Sequence, residues 1–167
     1  MPKPMLQALV LADHIYQDKS TGKMVIAGTF NRLNVFTGNA PPDAASRPAQ
    51  PTEQPSEGLR KLGYREICKV GSPWAYVSLT ELHGTVPLEL RYVDLSNNAV
   101  LLRVELSVKS GSPLDTVEVA VQLPVLPTPH AGTYALELLS NNEPVGSHRV
   151  TVAAMPAPDQ KAGEQKT

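Results

Sequence analysis

Residues 99–108 read Ala-Val-Leu-Leu-Arg-Val-Glu-Leu-Ser-Val, and this stretch gives the clearest indication of the fold class. Every second residue from 100 to 108 is aliphatic, and the residues between them include Arg103 and Glu105. Successive side chains of a β-strand point to opposite faces of a sheet, so the pattern is typical of a strand with one buried face. A helix would need apolar residues three and four positions apart. The residues predicted to face the core are Val100, Leu102, Val104 and Leu106.

The same alternation recurs along the chain, with Val119, Val121, Leu136 and Leu138 as further predicted core residues. Turn sequences separate the runs at Asp18–Gly22, at Asp94–Asn98 and at Asn141-Asn142, where Asn tolerates the positive φ of tight hairpins. The predicted strands are 5–16, 23–36, 74–83, 86–94, 99–108, 116–123, 132–140 and 144–153. Short, regularly spaced strands of this kind predict an all-β fold, either an antiparallel β-sandwich of about seven to eight strands or a barrel.

One stretch, 37–73, interrupts this pattern, and we expect it to be an insertion in a single domain that spans 1–155. Its Pro-rich part, 38–58, has the composition of a flexible segment, and the polar tail 156–167 has that of a disordered one. The apolar residues of 59–70 are close to helical spacing, so this part could hold one short amphipathic helix. The basic residues between them are Arg60, Lys61, Arg65 and Lys69.

Composition limits the function. Lys and Arg total 15 and Asp and Glu total 16, for a formal net charge of -1, and a dedicated nucleic-acid binder usually carries a basic excess. The single cysteine cannot form an intramolecular disulfide. No run of about 20 apolar residues suggests a membrane span. These features favour a soluble cytoplasmic protein.

The residues show no pattern of a catalytic, metal or cofactor site, and we predict none. No nucleophile elbow or phosphate-binding loop occurs, and the four histidines lack metal-ligand spacing. Asp13 and His14 are neighbours on a predicted strand and should point to opposite faces, so they cannot act on one substrate atom. Cys68 lies beside basic residues, either as a reactive thiol or as a small apolar side chain.

Two segments resemble an uncharacterised bacterial family of small cytosolic Ig-like β-sandwich proteins. The first holds Ala12-Asp13, then a Gly22-Lys23 turn and Gly28-Thr29-Phe30. The second begins with Gly132-Thr133-Tyr134 and continues through the Asn141-Asn142 hairpin. The resemblance implies an Ig-like fold and no activity, and 37–73 is long for that family. In such a fold Tyr134 is either a tyrosine corner or the first core residue of its strand.

These observations predict a non-enzymatic module that binds another protein, or another copy of itself, through its loops or an exposed strand edge. Within this hypothesis Arg60, Lys61, Arg65 and Lys69 form a candidate partner-binding surface. One alternative is an enzyme or small-ligand binder that uses the mouth of the sandwich near Trp74, Tyr76 and His83. Another is weak binding of nucleic acid or an anionic surface through 59–70.

Overall fold

A computed structural model describes residues 3–37, 64–65 and 72–156. These residues form ten β-strands and no helix. The strands are β1 (Met5–Gln17), β2 (Met24–Thr29), β3 (Arg32–Thr37), β4 (Tyr64–Arg65), β5 (Trp74–Thr80), β6 (Gly84–Asp94), β7 (Ala99–Ser110), β8 (Val117–Gln122), β9 (Gly132–Ser140) and β10 (Glu143–Pro156). The described residues include no helix with the length and hydropathy of a membrane span.

The strands form two sheets, one of four strands in the order β2-β1-β5-β8 and one of six in the order β4-β3-β10-β9-β6-β7. Neighbouring strands are antiparallel except for β3 and β10, which are parallel. The predicted all-β, antiparallel Ig-like sandwich is confirmed. The predicted turns are also confirmed, since Asn98, Asn141 and Asn142 have φ values of 56°, 51° and 65°.

The prediction of one continuous strand over 23–36 is wrong. The chain leaves the four-stranded sheet after Thr29 and enters the six-stranded sheet at Arg32. The amide of Phe30 still donates to the carbonyl of Leu11 at 3.1 Å, whereas the carbonyl of Asn31 accepts from Thr151 at 2.8 Å. Two adjacent residues therefore bond to different sheets, and this crossover ties the two sheets together.

Gly28 belongs to the Gly-x-Phe motif on which the family resemblance rests, and the structure explains why glycine stands there. Its φ of 71° favours glycine, and a Cβ placed there would lie 2.4 Å from Oδ2 of Asp13. The Asp13 side chain thus covers the backbone of Gly28 on the adjacent strand. The Ala-Asp and Gly-x-Phe halves of the motif are in direct contact, and each limits what the other position can hold.

The core lies between the sheets, where Tyr92, Leu136 and Leu138 are at most 1% exposed. Other predicted core residues are partly buried and pack against this cluster: Leu102, Val104, Leu106, Val119 and Val121. The prediction for Val100 is wrong, since it is 37% exposed. Tyr92 pairs with Leu102 and Val93 with Val100, so Leu101 is an extra, bulged residue that breaks the alternation.

Several predictions fall on residues that the structure does not describe. These are the flexible segment 38–58, most of 59–70, and the disordered tail apart from the backbone of Pro156. Within 59–70, Tyr64–Arg65 form the two-residue strand β4, which pairs with Phe36 and Thr37. The division into one domain with an insertion and a tail stays a prediction.

Candidate functional site

Among the described strands, β7 lies at the edge of the six-stranded sheet and pairs only with β6, from Ala99 opposite Asp94 to Ser110 opposite Gly84. It is 12 residues long, whereas the other edge strands among the described residues have six, six and two. An edge strand presents a row of backbone N–H and C=O groups with no partner strand, and proteins often protect such edges with proline or inward-pointing charge. The strand β7 has neither, although it carries three charged residues and a bulge at Leu101. We call this unpaired side the β7 edge.

Three side chains on the core face of β7, those of Leu102, Val104 and Leu106, are less buried than the residues directly opposite them on β6, whereas Val108 is more buried than its partner Val86. Leu88 is 3% exposed, whereas its partner Leu106 is only half-buried. Leu90 is 1% exposed, and its partner Val104 is again half-buried. The difference arises because β6 pairs with both β7 and β9 over residues 88–94, whereas β7 pairs with β6 alone among the described strands. The β7 edge therefore carries a row of half-covered aliphatic side chains.

The outer face of β6 and β7 carries charges in an unfavourable register. Glu89 lies directly opposite Glu105, and Arg91 lies directly opposite Arg103. Like charges in directly opposed positions of neighbouring strands destabilise a sheet. The sequence alternation alone does not show this, because it does not fix which residues oppose each other.

Glu89 is the centre of this charge group. Arg91 donates to both of its carboxylate oxygens, at 2.8 and 2.7 Å, and this contact lowers the pKa of Glu89. Arg103 reaches the same carboxylate at 3.5 Å with 60% of its side chain exposed, a geometry that contributes little. Glu105 forms no ion pair within the described part of the chain. Arg103 and Glu105 of β7 are thus weakly matched and unmatched, respectively.

A shallow depression of about 560 Å³ adjoins Glu105 on this outer face. Glu89 and Glu105 line one part of it, and the β9–β10 hairpin lines another with Asn141 and Asn142. Arg91 also donates to the side-chain oxygen of Asn142 at 3.1 Å. The depression is open to solvent and acidic, so it suits a basic side chain of a partner better than an enclosed small molecule.

At one end of β6 and β9, Tyr134 forms the predicted tyrosine corner. Its hydroxyl donates to the carbonyl of His130 at 2.6 Å and accepts from the amide of His130 at 3.3 Å. The ring is fully buried and stacks on Tyr92 with a centroid distance of 5.3 Å. Both interpretations of Tyr134 are therefore correct, since it is a corner and a core residue at once.

Beside this corner, buried Asp94 pairs with His130, whose side chain is 39% exposed, and the sequence analysis did not predict this contact. Nε2 of His130 lies 2.7 Å from Oδ2 of Asp94, and Nδ1 lies 3.0 Å from the carbonyl of Ala131. Both contacts raise the pKa of His130, because they favour the doubly protonated ring. Burial acts to raise the pKa of Asp94, but hydrogen bonds from Ser96 and His130 lower it overall.

A paired His and Asp can serve acid–base catalysis, which needs a ring nitrogen directed at the substrate. Here both ring nitrogens of His130 are engaged by Asp94 and Ala131. The pair instead ties the β6–β7 turn to the segment before β9. The sequence carries a signal for this turn, because an Asp followed two residues later by a Ser is typical of a turn stabilised by a side-chain hydrogen bond.

The structure does not bring together Trp74, Tyr76 and His83. Trp74 and Tyr76 belong to an apolar cluster on the outer face of the four-stranded sheet, and the Tyr76 hydroxyl donates to Glu118. Burial and then this contact raise the pKa of Tyr76. His83 is exposed and lies three residues beyond the other end of β5, whose seven residues span about 20 Å from Trp74 to Thr80.

The remaining predicted site residues lie mostly outside the described residues. Of the candidate partner-binding set Arg60, Lys61, Arg65 and Lys69, only the backbone of Arg65 is described, in β4. Cys68 is also outside. Asp13 is half-buried and His14 is exposed. No three His, Cys, Asp or Glu side chains of the described ranges cluster in a way that could hold a metal ion.

Comparison with known proteins shows similarity to solved structures. No family model matches the chain, and no curated protein matches it. The chain is similar to the solved structure of an immunoglobulin-like protein from Pseudomonas aeruginosa, with a TM-score of 0.36 and 12% sequence identity. The match covers 90% of this chain and 97% of that chain. The two sheets themselves define a β-sandwich.

Proposed function

We propose that this protein is a non-enzymatic interaction module that binds an extended polypeptide strand along the β7 edge. The observation that carries the proposal is the 12-residue strand β7, which pairs with β6 alone in the part of the chain that the structure describes. A peptide that adds to such an edge gains a ladder of backbone hydrogen bonds, and its alternate side chains supply specificity.

The side chains of β7 define what the bound strand should look like. On the core side, half-buried Leu102, Val104 and Leu106 favour aliphatic partners that complete their burial. On the outer side, Arg103 and Glu105 favour an acidic residue and a basic residue at positions two apart. The partner is therefore a strand of alternating aliphatic and charged residues.

The other functions have less support. An enzyme would need a reactive group aimed at a pocket, and the one His–Asp pair among the described residues has both ring nitrogens engaged. Partner binding through Arg60, Lys61, Arg65 and Lys69 stays a prediction. The single cysteine and the resemblance of the sequence support a bacterial, cytoplasmic setting for the proposed binding.

Site-specific photo-cross-linking in the native host tests the proposal. A photoreactive residue at Ser107, exposed on β7, should give a covalent adduct identifiable by mass spectrometry. The matched control places the same residue at Thr29, exposed on the edge strand β2 of the other sheet, where no adduct is expected. Adducts at neither position, or at Thr29 alone, would contradict binding along β7.

A further inference from the structure

We infer that the strand bound along the β7 edge is β7 of a second copy of this chain. The two strands run antiparallel about a two-fold axis at Val104, so that Arg103 of each copy lies opposite Glu105 of the other. The inference rests on the proposed function and names its partner. Antiparallel pairing of one strand with its own copy is a self-complementary, closed contact of the kind that makes symmetric dimers.

The charges of β7 are better suited to this contact than to the hairpin that contains them. Within the chain, Arg103 opposes Arg91 and Glu105 opposes Glu89. The hairpin would be more stable with the two charges exchanged, because each would then face its opposite. Across the axis, however, the present arrangement gives Glu105 a cation and gives Arg103 a second anion besides the distant Glu89.

Other two-fold registers lack this match. An axis at Arg103 or at Glu105 places that residue opposite its own copy, and an axis at Leu106 places Arg103 opposite Lys109. An axis at Ser107 does bring Glu105 opposite Lys109. That register overlaps residues 104–110 and leaves Arg103 beyond the partner strand, whereas the axis at Val104 pairs both charges within the regular block 102–106.

The apolar side of β7 has the same symmetry. With the axis at Val104, Leu102 lies opposite Leu106 of the second copy, and Val104 lies opposite its own copy. These side chains are the half-buried ones in each chain, so the contact covers them and joins the two cores. The bulge at Leu101 leaves 102–106 as a regular block, and this block is symmetric about Val104.

Sedimentation velocity over a range of protein concentrations tests the inference with R103E, E105R and the exchanged variant R103E/E105R. The wild type should form a dimer. Each single variant places two like-charge pairs across the axis and should raise the dimer dissociation constant by at least about tenfold. The double variant restores opposite charges and should dimerise like the wild type. An equal mixture of the two single variants should form a heterodimer.

The matched control is R149E, an exposed charge reversal on the interior strand β10 of the same sheet, which should leave the dimer unchanged. Thermal melts of each variant check folding, which the single changes should not harm because they remove a like-charge pair within the hairpin. A wild type that stays monomeric overturns the inference. Dimerisation of R103E equal to that of the wild type also overturns it, and indicates the Ser107 register or another surface.

The two proposals fail separately. A monomeric wild type with a Ser107 adduct to a different protein leaves the interaction module standing and overturns self-association. A Ser107 adduct at twice the monomer mass that disappears in R103E supports both. No adduct together with a monomeric wild type contradicts both.

Discussion

The strands β6 and β7 form one hairpin with the same alternating pattern, yet their environments differ. On β6, the core-facing residues Leu88, Leu90 and Tyr92 are at most 3% exposed, and the strand ends at Asp94 in a fully hydrogen-bonded corner. On β7, the facing residues are half-buried and Glu105 has no ion-pair partner among the described residues. The comparison shows that the position of a strand in the sheet, rather than its sequence pattern, decides how much it contributes to folding. The same position decides how much apolar surface the strand leaves for a partner.

The largest expected effect compares two leucines that face each other across this hairpin. Leu88→Ala should lower the free energy of unfolding by about 2–5 kcal/mol, because it leaves a cavity in a closed part of the core. Leu106→Ala should cost about 1–2 kcal/mol, because part of its surface already contacts water. Urea unfolding of dilute protein measures both. Equal losses would show that β7 is covered as well as β6.

A smaller effect is expected at the corner where β6 ends. Tyr134→Phe keeps the buried ring and removes only the hydroxyl that bonds to His130, so it should cost about 1–3 kcal/mol. Tyr16→Phe is the control, since Tyr16 is 57% exposed and should change stability by less than about 0.5 kcal/mol. The same unfolding assay applies. A cost at Tyr134 no larger than at Tyr16 would mean that the corner does not hold the turn.

The smallest expected effect is the pH dependence of the Asp94–His130 pair. The raised pKa of His130 means that its contribution is complete below about 6.5 and is lost as pH rises through the folded value. The lowered pKa of Asp94 means that its contribution is present above about 3.8 and is lost as pH falls through the folded value. The stability that this pair provides should therefore be greatest in mildly acidic solution and decline towards alkaline pH.

Unfolding of wild type and His130→Asn at several pH values measures this contribution as the difference between the two proteins. The control is the same comparison in an Asp94→Asn background, where the dependence on pH should be smaller because the anionic partner is gone. An NMR titration of His130 checks the cause directly. A difference that grows from pH 6 to pH 8 would contradict the assignment of a protonated ring.

Much of the fold could be predicted because alternation and turn residues are local signals. The strand boundaries near 99–108 and 132–140 and the positive φ of Asn98 and Asn141 follow from neighbouring residues alone. The error at 23–36 has a different origin. Hydrophobic residues continue through Phe30, and only pairing with two different sheets shows that the strand ends there. Val100 was misplaced for a related reason, since a bulge depends on the partner strand.

The candidate site was less predictable. Because β6 and β7 have equivalent patterns, the sequence does not show which of them lies at the edge, and the opposed charges appear only once the register is known. The basic residues of 59–70 were predicted as a partner-binding surface because they cluster in the sequence. The Asp94–His130 contact is not apparent from the sequence, because the two residues are 36 positions apart and meet only where the chain forms the corner.

The parallel pairing of β3 with β10 has a consequence for synthesis of the chain. Arg32 pairs with Thr151 and Thr37 pairs with Pro156. The strand β3 therefore needs a partner that is synthesised much later than β3 itself. Until the ribosome has released β10, β3 can pair only with the two residues of β4 among the described strands. The four-stranded sheet can assemble once β8 has emerged, but β3, which follows the crossover after Thr29, still lacks its long partner. Long-range pairings of this kind slow folding, so β3 stays largely unpaired while the long stretch of chain that separates it from β10 is synthesised.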